Sequence, residues 1–166
     1  MTVTAVDKDL DQLTMRMTAE FAATPERVWK LWADARQLER WWGPPTWPAT
    51  FTAHELTPGA HSAYHMTGPD GEAAHGWWEI VAVEPPRSIA FRDGFANDDG
   101  SPNTELPITE AEVTIEPIGD GSTTRMTMTS RFPSREAMQQ VVEMGMEEGL
   151  RQAIGQIDAL LAEDAA

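Results

Sequence analysis

Residues 132–161 read FPSREAMQQVVEMGMEEGLRQAIGQIDALL, and this stretch decides the fold. Met138, Val142, Met146, Gly149, Ala153, Ile157 and Leu160 recur at steps of three and four, so the spacing predicts one long amphipathic helix. Its buried stripe opens on methionine and drops to Gly145, Gly149, Ala153 and Gly155, where close-packed helices more often carry leucine. Small side chains leave room or admit a neighbour, and methionine adapts its shape at little energetic cost. A long helix with a flexible start and gaps along its face reads as a lid over a cavity, with plain core packing as the alternative for any one methionine.

Upstream of that helix the pattern is mostly period two. Residues 1–9 are polar and read as a frayed N-terminus; Leu13, Met15, Met17, Ala19 and Phe21 then alternate with Thr14, Arg16, Thr18 and Glu20, a half-buried strand. Thr24 and Pro25 supply an N-cap and a first-turn proline for a short helix over 25–33, with Val28, Trp29, Leu31 and Trp32 at helical spacing. Asp34 with Gln37 makes a capping-box pattern for a second short helix, which Gly43-Pro44-Pro45 must stop. Six further strands follow, over 46–56, 60–67, 74–84, 88–93, 109–117 and 123–131, separated by turns rich in glycine and proline. The polar, broken stretch 94–107 reads as a surface loop.

The chain has 166 residues, enough for one domain with a sizeable core, expected to span 1–166 with its packed part over 10–163. Its 27 acidic against 12 basic residues give a net charge of −15, which repels phosphate backbones and anionic membrane surfaces; nucleic acid is excluded as an expected partner. There is no cysteine, so thiolate chemistry and disulfides are out. With no basic segment leading into an apolar one and no long apolar run, membrane insertion is not expected and a cytoplasmic location is. Exposed edge strands are compatible with a homodimer or a monomer.

Several segments together carry a family resemblance: Arg27-Val28-Trp29, Leu38-Glu39-Arg40-Trp41-Trp42-Gly43-Pro44, Gly68-Pro69-Asp70-Gly71, the run from Val83 to Phe91, Gly119 to Met126, and Met144 to Leu150. In them, over about residues 12–162, the chain resembles the START, polyketide cyclase and birch-pollen-allergen superfamily (SRPBCC), and within it the branch called activator of heat-shock-protein ATPase homologue-like. The resemblance implies an α+β helix-grip fold: a seven-stranded curved antiparallel sheet around the C-terminal helix, with a ligand-sized cavity between. It does not imply a reaction, because carriers, sensors, cyclases and co-chaperone domains share the fold.

The residues that could carry chemistry are few. Four histidines, His54, His61, His65 and His75, offer imidazole, but His61 and His65 on one strand face stand about 13 Å apart, too far for one zinc ion. His65 could meet His75 across the Gly68–Gly71 turn in one of two registers. With no third ligand, no metal site is expected. No nucleophile elbow, phosphate loop or dinucleotide fingerprint is present, so neither a catalytic residue nor a cofactor is assigned. Glu79, amid Trp77, Trp78, Ile80 and Val81, is the one carboxylate in apolar company; alternation leaves open which face of its strand is inside.

The aromatic inventory says more: seven tryptophans and nine methionines supply rigid walls and adaptable filling. The expected ligand-binding set is Trp42, Trp47, Tyr64, Met66, Trp78, Phe91, Met126, Met128, Met138, Val142 and Met146, with His65 and Glu79 as polar cavity groups. Trp29 and Trp32 are expected in the plain core. The expected function is non-catalytic binding of a small hydrophobic or aromatic molecule. The alternatives are a cyclase or aromatase acting on a polyketide-like chain, and an interaction module whose acidic surface docks on a chaperone or stress-response partner.

Overall fold

In the computed structural model, which describes residues 3–163, all strands form one antiparallel sheet. The chain opens with β1 (Val3–Asp9), β2 (Thr14–Phe21), and two short helices, α1 (Pro25–Ala33) and α2 (Ala35–Leu38). Strands β3 (Ala49–Ala53), β4 (His61–Thr67), β5 (Ala73–Glu84), β6 (Ser88–Ala96), β7 (Thr109–Ile118) and β8 (Thr123–Arg131) follow. Three helices close the described chain: α3 (Arg135–Glu143), α4 (Met146–Gly155) and α5 (Ile157–Ala162). The sheet order is β1-β2-β8-β7-β6-β5-β4-β3, an α+β architecture consistent with the helix-grip fold.

Alternation explains most strands. Met15, Met17, Ala19 and Phe21 of β2 are buried, and their partners on β8, Met126, Met128 and Ser130, are buried beside them. Register shifts in β1, β3 and β5 bend the sheet around the helices; after the one between Ile80 and Ala82, Val81 is left 52% exposed on the outer side. Thr24 accepts the N–H of Arg27 at 3.3 Å and caps α1. Asp34 caps α2 by accepting from Arg36 N–H at 2.9 Å, while the Gln37 side chain, instead of reaching back as a capping box, accepts from Arg27 at 2.7 Å.

Four expectations need correction. The sheet has eight strands among the described residues, because Val3–Asp9 pairs with β2 instead of fraying; its Val3 and Val6 pack against the core, and Lys8 Nζ meets Glu147 of α4 at 2.6 Å. Residues 1 and 2 of the expected frayed segment lie outside the described residues. The stretch 46–56 forms a strand only over Ala49–Ala53. Residues Gly94–Ala96 continue β6, which β5 holds through His75–Trp77, so the loop begins later than composition implied. The C-terminal helix is broken twice, at Met144-Gly145, where Gly145 takes φ +92°, and at Gln156.

The core sits where α1, α2 and the C-terminal helices face the concave side of the sheet. Trp32, Trp41 and Trp78 have no exposed surface; Trp32 meets Trp41 edge to face at 4.8 Å, and Trp42 meets Trp78 likewise at 4.8 Å. Trp41 Nε1 donates to Leu31 O at 3.0 Å, and Trp32 Nε1 points at Met126 Sδ at 3.3 Å. Gln156 at the second helix break donates to Gly43 O at 2.6 Å, fastening the helices to the loop after α2.

Candidate functional site

Between the concave face of the sheet and the α3–α4 break lies a cavity of about 410 Å³, open on one side. Its sheet wall alternates by the period-two rule: Tyr64 and Met66 from β4, Ala74 from β5, Phe91, Asp93 and Phe95 from β6, Thr109 and Ala111 from β7, Met128 and Ser130 from β8. Trp42, Pro44 and Trp47, from the segment after α2, also line it. Val141, Met144, Gly145, Met146, Gly149 and Leu150 roof it, and a side chain added at Gly149 would meet nothing within 4 Å. Of the small residues on the helix face, Gly145 and Gly149 border this space, whereas Ala153 is buried in the core and Gly155 is exposed.

Of the expected ligand-binding residues, the structure brings Trp42, Trp47, Tyr64, Met66, Phe91, Met128 and Met146 into this wall. It does not bring the others. Trp78 lies one layer behind, stacked under Phe91 at 4.3 Å; Met126 lies under Trp32; Met138 is buried in the core. Val142 is partly buried against the core but does not line the cavity; its buried neighbour Val141 does. Both expected polar groups are misplaced. Trp78 and Gly76 face inward on β5, so Glu79 faces outward, where it pairs with Arg92 at 3.4 Å and lies 3.8 Å from His61. His65 is on the same outer face, opposite His75 in one of the two registers expected, with ring centroids 5.6 Å apart. No group of three potential metal ligands occurs among the described residues. The fourth histidine, His54, has its ring between Ser62 Oγ at 2.7 Å and Trp32 O at 2.6 Å, and burial lowers its pKa.

The polar centre of the cavity is one that sequence reasoning missed: Asp93. Tyr64 Oη donates to Asp93 Oδ1 at 3.2 Å, spanning from β4 to β6 across the intervening β5. Gly76 makes that possible, since a Cβ there would stand 2.4 Å from the Tyr64 hydroxyl. Asp93 is half-buried: the cavity reaches it on one side and protein surrounds it on the others. Burial pushes its carboxyl up to about 7, against the Tyr64 hydrogen bond and the nearby Trp78 indole, which pull it down. The Tyr64 hydroxyl is held well above its ordinary value, first by burial and then by the Asp93 charge. The indole N–H groups of Trp42 and Trp78 lie close enough to favour ionised Tyr64, and Trp78 ionised Asp93, but neither meets hydrogen-bond geometry and both are buried.

The site is thus an apolar, aromatic chamber with one carboxyl-phenol pair inside it. The chain carries a signal for Asp93, which continues the Ile89, Phe91 alternation by one step, but the Gly94 that follows resembles the start of a loop.

Comparisons agree with this architecture. A model of the family described as Activator of Hsp90 ATPase homolog 1-like protein matches residues 22–162. A solution NMR structure of a protein from Arthrobacter aurescens is 56% identical, covering 98% of this chain and 93% of its own, with a TM-score of 0.93. A crystal structure of a protein from Mycobacterium smegmatis is 53% identical, covering 96% of each chain, with a TM-score of 0.88. At 23% identity, the AHSA1 protein from Silicibacter pomeroyi shares the fold, covering 91% of this chain and 99% of its own, with a TM-score of 0.73. No curated protein matches. Among the described residues no helix is long and apolar enough to cross a membrane.

Proposed function

The chain belongs to the family of Activator of Hsp90 ATPase homolog 1-like proteins, and from that premise we propose that it binds a small hydrophobic or aromatic molecule between the sheet and the C-terminal helices, without catalysing a reaction. The observation that supports this reading is the cavity: about 410 Å³, walled by aromatic side chains and methionines, lies within the roughly 300–1,000 Å³ usual for small-molecule sites. Aromatic walls give a ligand large apolar contact at about 25 cal/mol per Å² removed from water. A core packed only for stability would close such a space, because every unfilled cavity weakens the fold.

A cyclase or aromatase reading draws on the Tyr64–Asp93 pair, which could move a proton, but its other two candidate groups, His65 and Glu79, face away from the chamber. Docking on a chaperone or stress-response partner through the acidic surface is the reading that gains if the chamber holds nothing.

The test is mass spectrometry of the purified protein under native and then denaturing conditions, with titration of a neutral naphthalene-based fluorescent probe. We expect a small non-covalent mass that is lost on unfolding, or saturable binding of the probe at micromolar concentration. Absence of both an adduct and probe binding would overturn the proposal.

A further inference from the structure

We propose that the chamber selects a hydrophobic cation, an apolar ring system carrying a protonated amine, and that Asp93 is the group that receives the amine. This rests on the reading of the chamber as a small-molecule site and adds what the molecule must carry. Three observations converge. Among the described residues, Asp93 and Tyr64 are the only titratable side chains in the wall, and no lysine, arginine or histidine lines it. A ligand carboxylate would therefore find no countercharge there and would meet the Asp93 carboxyl, so fatty-acid-like anions are disfavoured.

Second, the carboxyl is incompletely satisfied. Tyr64 Oη donates to Oδ1 at 3.2 Å, and among the described residues no other hydrogen bond of good geometry reaches the group. The Trp78 indole N–H nearby misses hydrogen-bond geometry, so the carboxyl keeps acceptor capacity free, and a ligand N–H is the donor that a charged acceptor holds most strongly. Third, Trp42, Trp47, Tyr64, Phe91 and Phe95 line the same space, and aromatic faces attract a cation that has left water. The net charge of −15 draws cations toward the molecule from a distance.

Around Asp93, β4 presents the Tyr64 hydroxyl, β5 the Trp78 indole, and β7 the hydroxyl-bearing Thr109 directly opposite in register. From the roof, Val141 of α3 and Met146 and Leu150 of α4 carry no charge. Ionisation of Asp93 is thus the one event near neutrality that changes the charge of the chamber, and amine binding should strengthen as pH rises from about 6 to about 8, where the carboxyl ionises and an alkylamine stays protonated.

The experiment titrates one naphthyl skeleton with four ends, naphthylmethylamine, naphthylmethanol, methylnaphthalene and naphthoate, and follows the indole N–H resonances of the intact protein by NMR. At pH 8 the amine should bind about tenfold more tightly than the alcohol, with naphthoate weakest. Asp93→Asn should bring the amine-to-alcohol affinity ratio from about ten down to about one. Should that variant fail to fold, the wild-type pH series serves: amine affinity must rise from pH 6 to 8 while alcohol affinity stays flat. Equal binding of amine and hydrocarbon, or tightest binding of naphthoate, would overturn the proposal and leave the chamber reading intact. Binding of none of the four, with no response to the neutral probe, would overturn both.

Discussion

The Asp93 carboxyl makes its own contribution to how the stability of this fold depends on pH. Unfolded, it would ionise near the ordinary aspartate value of about 3.9; folded, burial lifts it to about 7. Between those values the folded state binds the extra proton, so the contribution of Asp93 to stability is full below the lower value and is lost as pH rises through the upper one. The sign is opposite to that of a salt-bridged aspartate. Asp93→Asn escapes the loss, so the variant should gain on the wild type by up to about 2.5 kcal/mol between pH 5 and pH 8.5, less where cavity water screens the charge. Urea unfolding of both proteins at the two pH values measures this, and an unchanged difference would remove the buried-charge account of the site. At this scale the sequence was half legible. Trp42, Trp47, Tyr64, Met66, Phe91, Met128 and Met146 were found because apolar residues at strand and helix periods must face a common interior. Asp93 is not legible in the same way, because a polar residue before glycine reads as a strand end, whereas β6 runs on to Ala96 and the carboxyl meets the Tyr64 hydroxyl that reaches over Gly76. Glu79 failed for a related reason: alternation separates two faces without saying which is concave, and the inward Trp78 resolves it.

Among the elements, the broken C-terminal helix matters most. Gly145 at φ +92° ends one segment and starts the next, which places Met144, Gly145 and Met146 over the chamber rather than along one straight stripe. Gly149 sits inside α4, where glycine is a poor helix former by about 1 kcal/mol relative to alanine, and a Cβ there meets nothing within 4 Å. Stability alone therefore does not explain a glycine at this position; room in the chamber does. Gly149→Ala should stabilise the protein by about 0.5–1 kcal/mol with probe binding retained, while Gly149→Leu should keep a wild-type melting temperature or better and weaken probe binding at least tenfold. Loss of stability in both variants, or binding unaffected by leucine, would show that α4 does not roof the site. The period of residues 132–161 made the helix legible, but not its breaks, since a glycine within a helical pattern can continue it as well as end it. For β1 the opposite holds: Val3 and Val6 are too sparse for a strand signal, and the segment is ordered by pairing with β2 and by Lys8 reaching Glu147.

Across the whole molecule, excess negative charge acts on the fold and on the ligand with opposite signs. The ion pairs of the outer surface, such as Arg92 with Glu79 and Arg125 with Glu20, are partly solvated, and pairs of that kind each contribute about 0–1 kcal/mol. Fifteen carboxylates, the 27 acidic less the 12 basic residues, have no basic counterpart in the count, so mutual repulsion outweighs what such pairs supply. Salt screens both, with a Debye length near 10 Å at 0.1 M, but it relieves a repulsion spread over the surface while weakening only short contacts. Sodium chloride raised from about 0.02 to 0.5 M should therefore raise the melting temperature by several degrees. Over the same range the affinity for naphthylmethylamine should fall, because the field that draws a cation inward is screened, whereas that for naphthylmethanol should hold or rise slightly as salt favours apolar burial. Differential scanning fluorimetry and the NMR titration read the two effects on one sample series. If the melting temperature fell with salt, local ion pairs rather than net repulsion would govern stability. If amine and alcohol responded alike, the long-range field would have no part in selecting what enters the chamber, and selectivity would rest on Asp93 at contact alone.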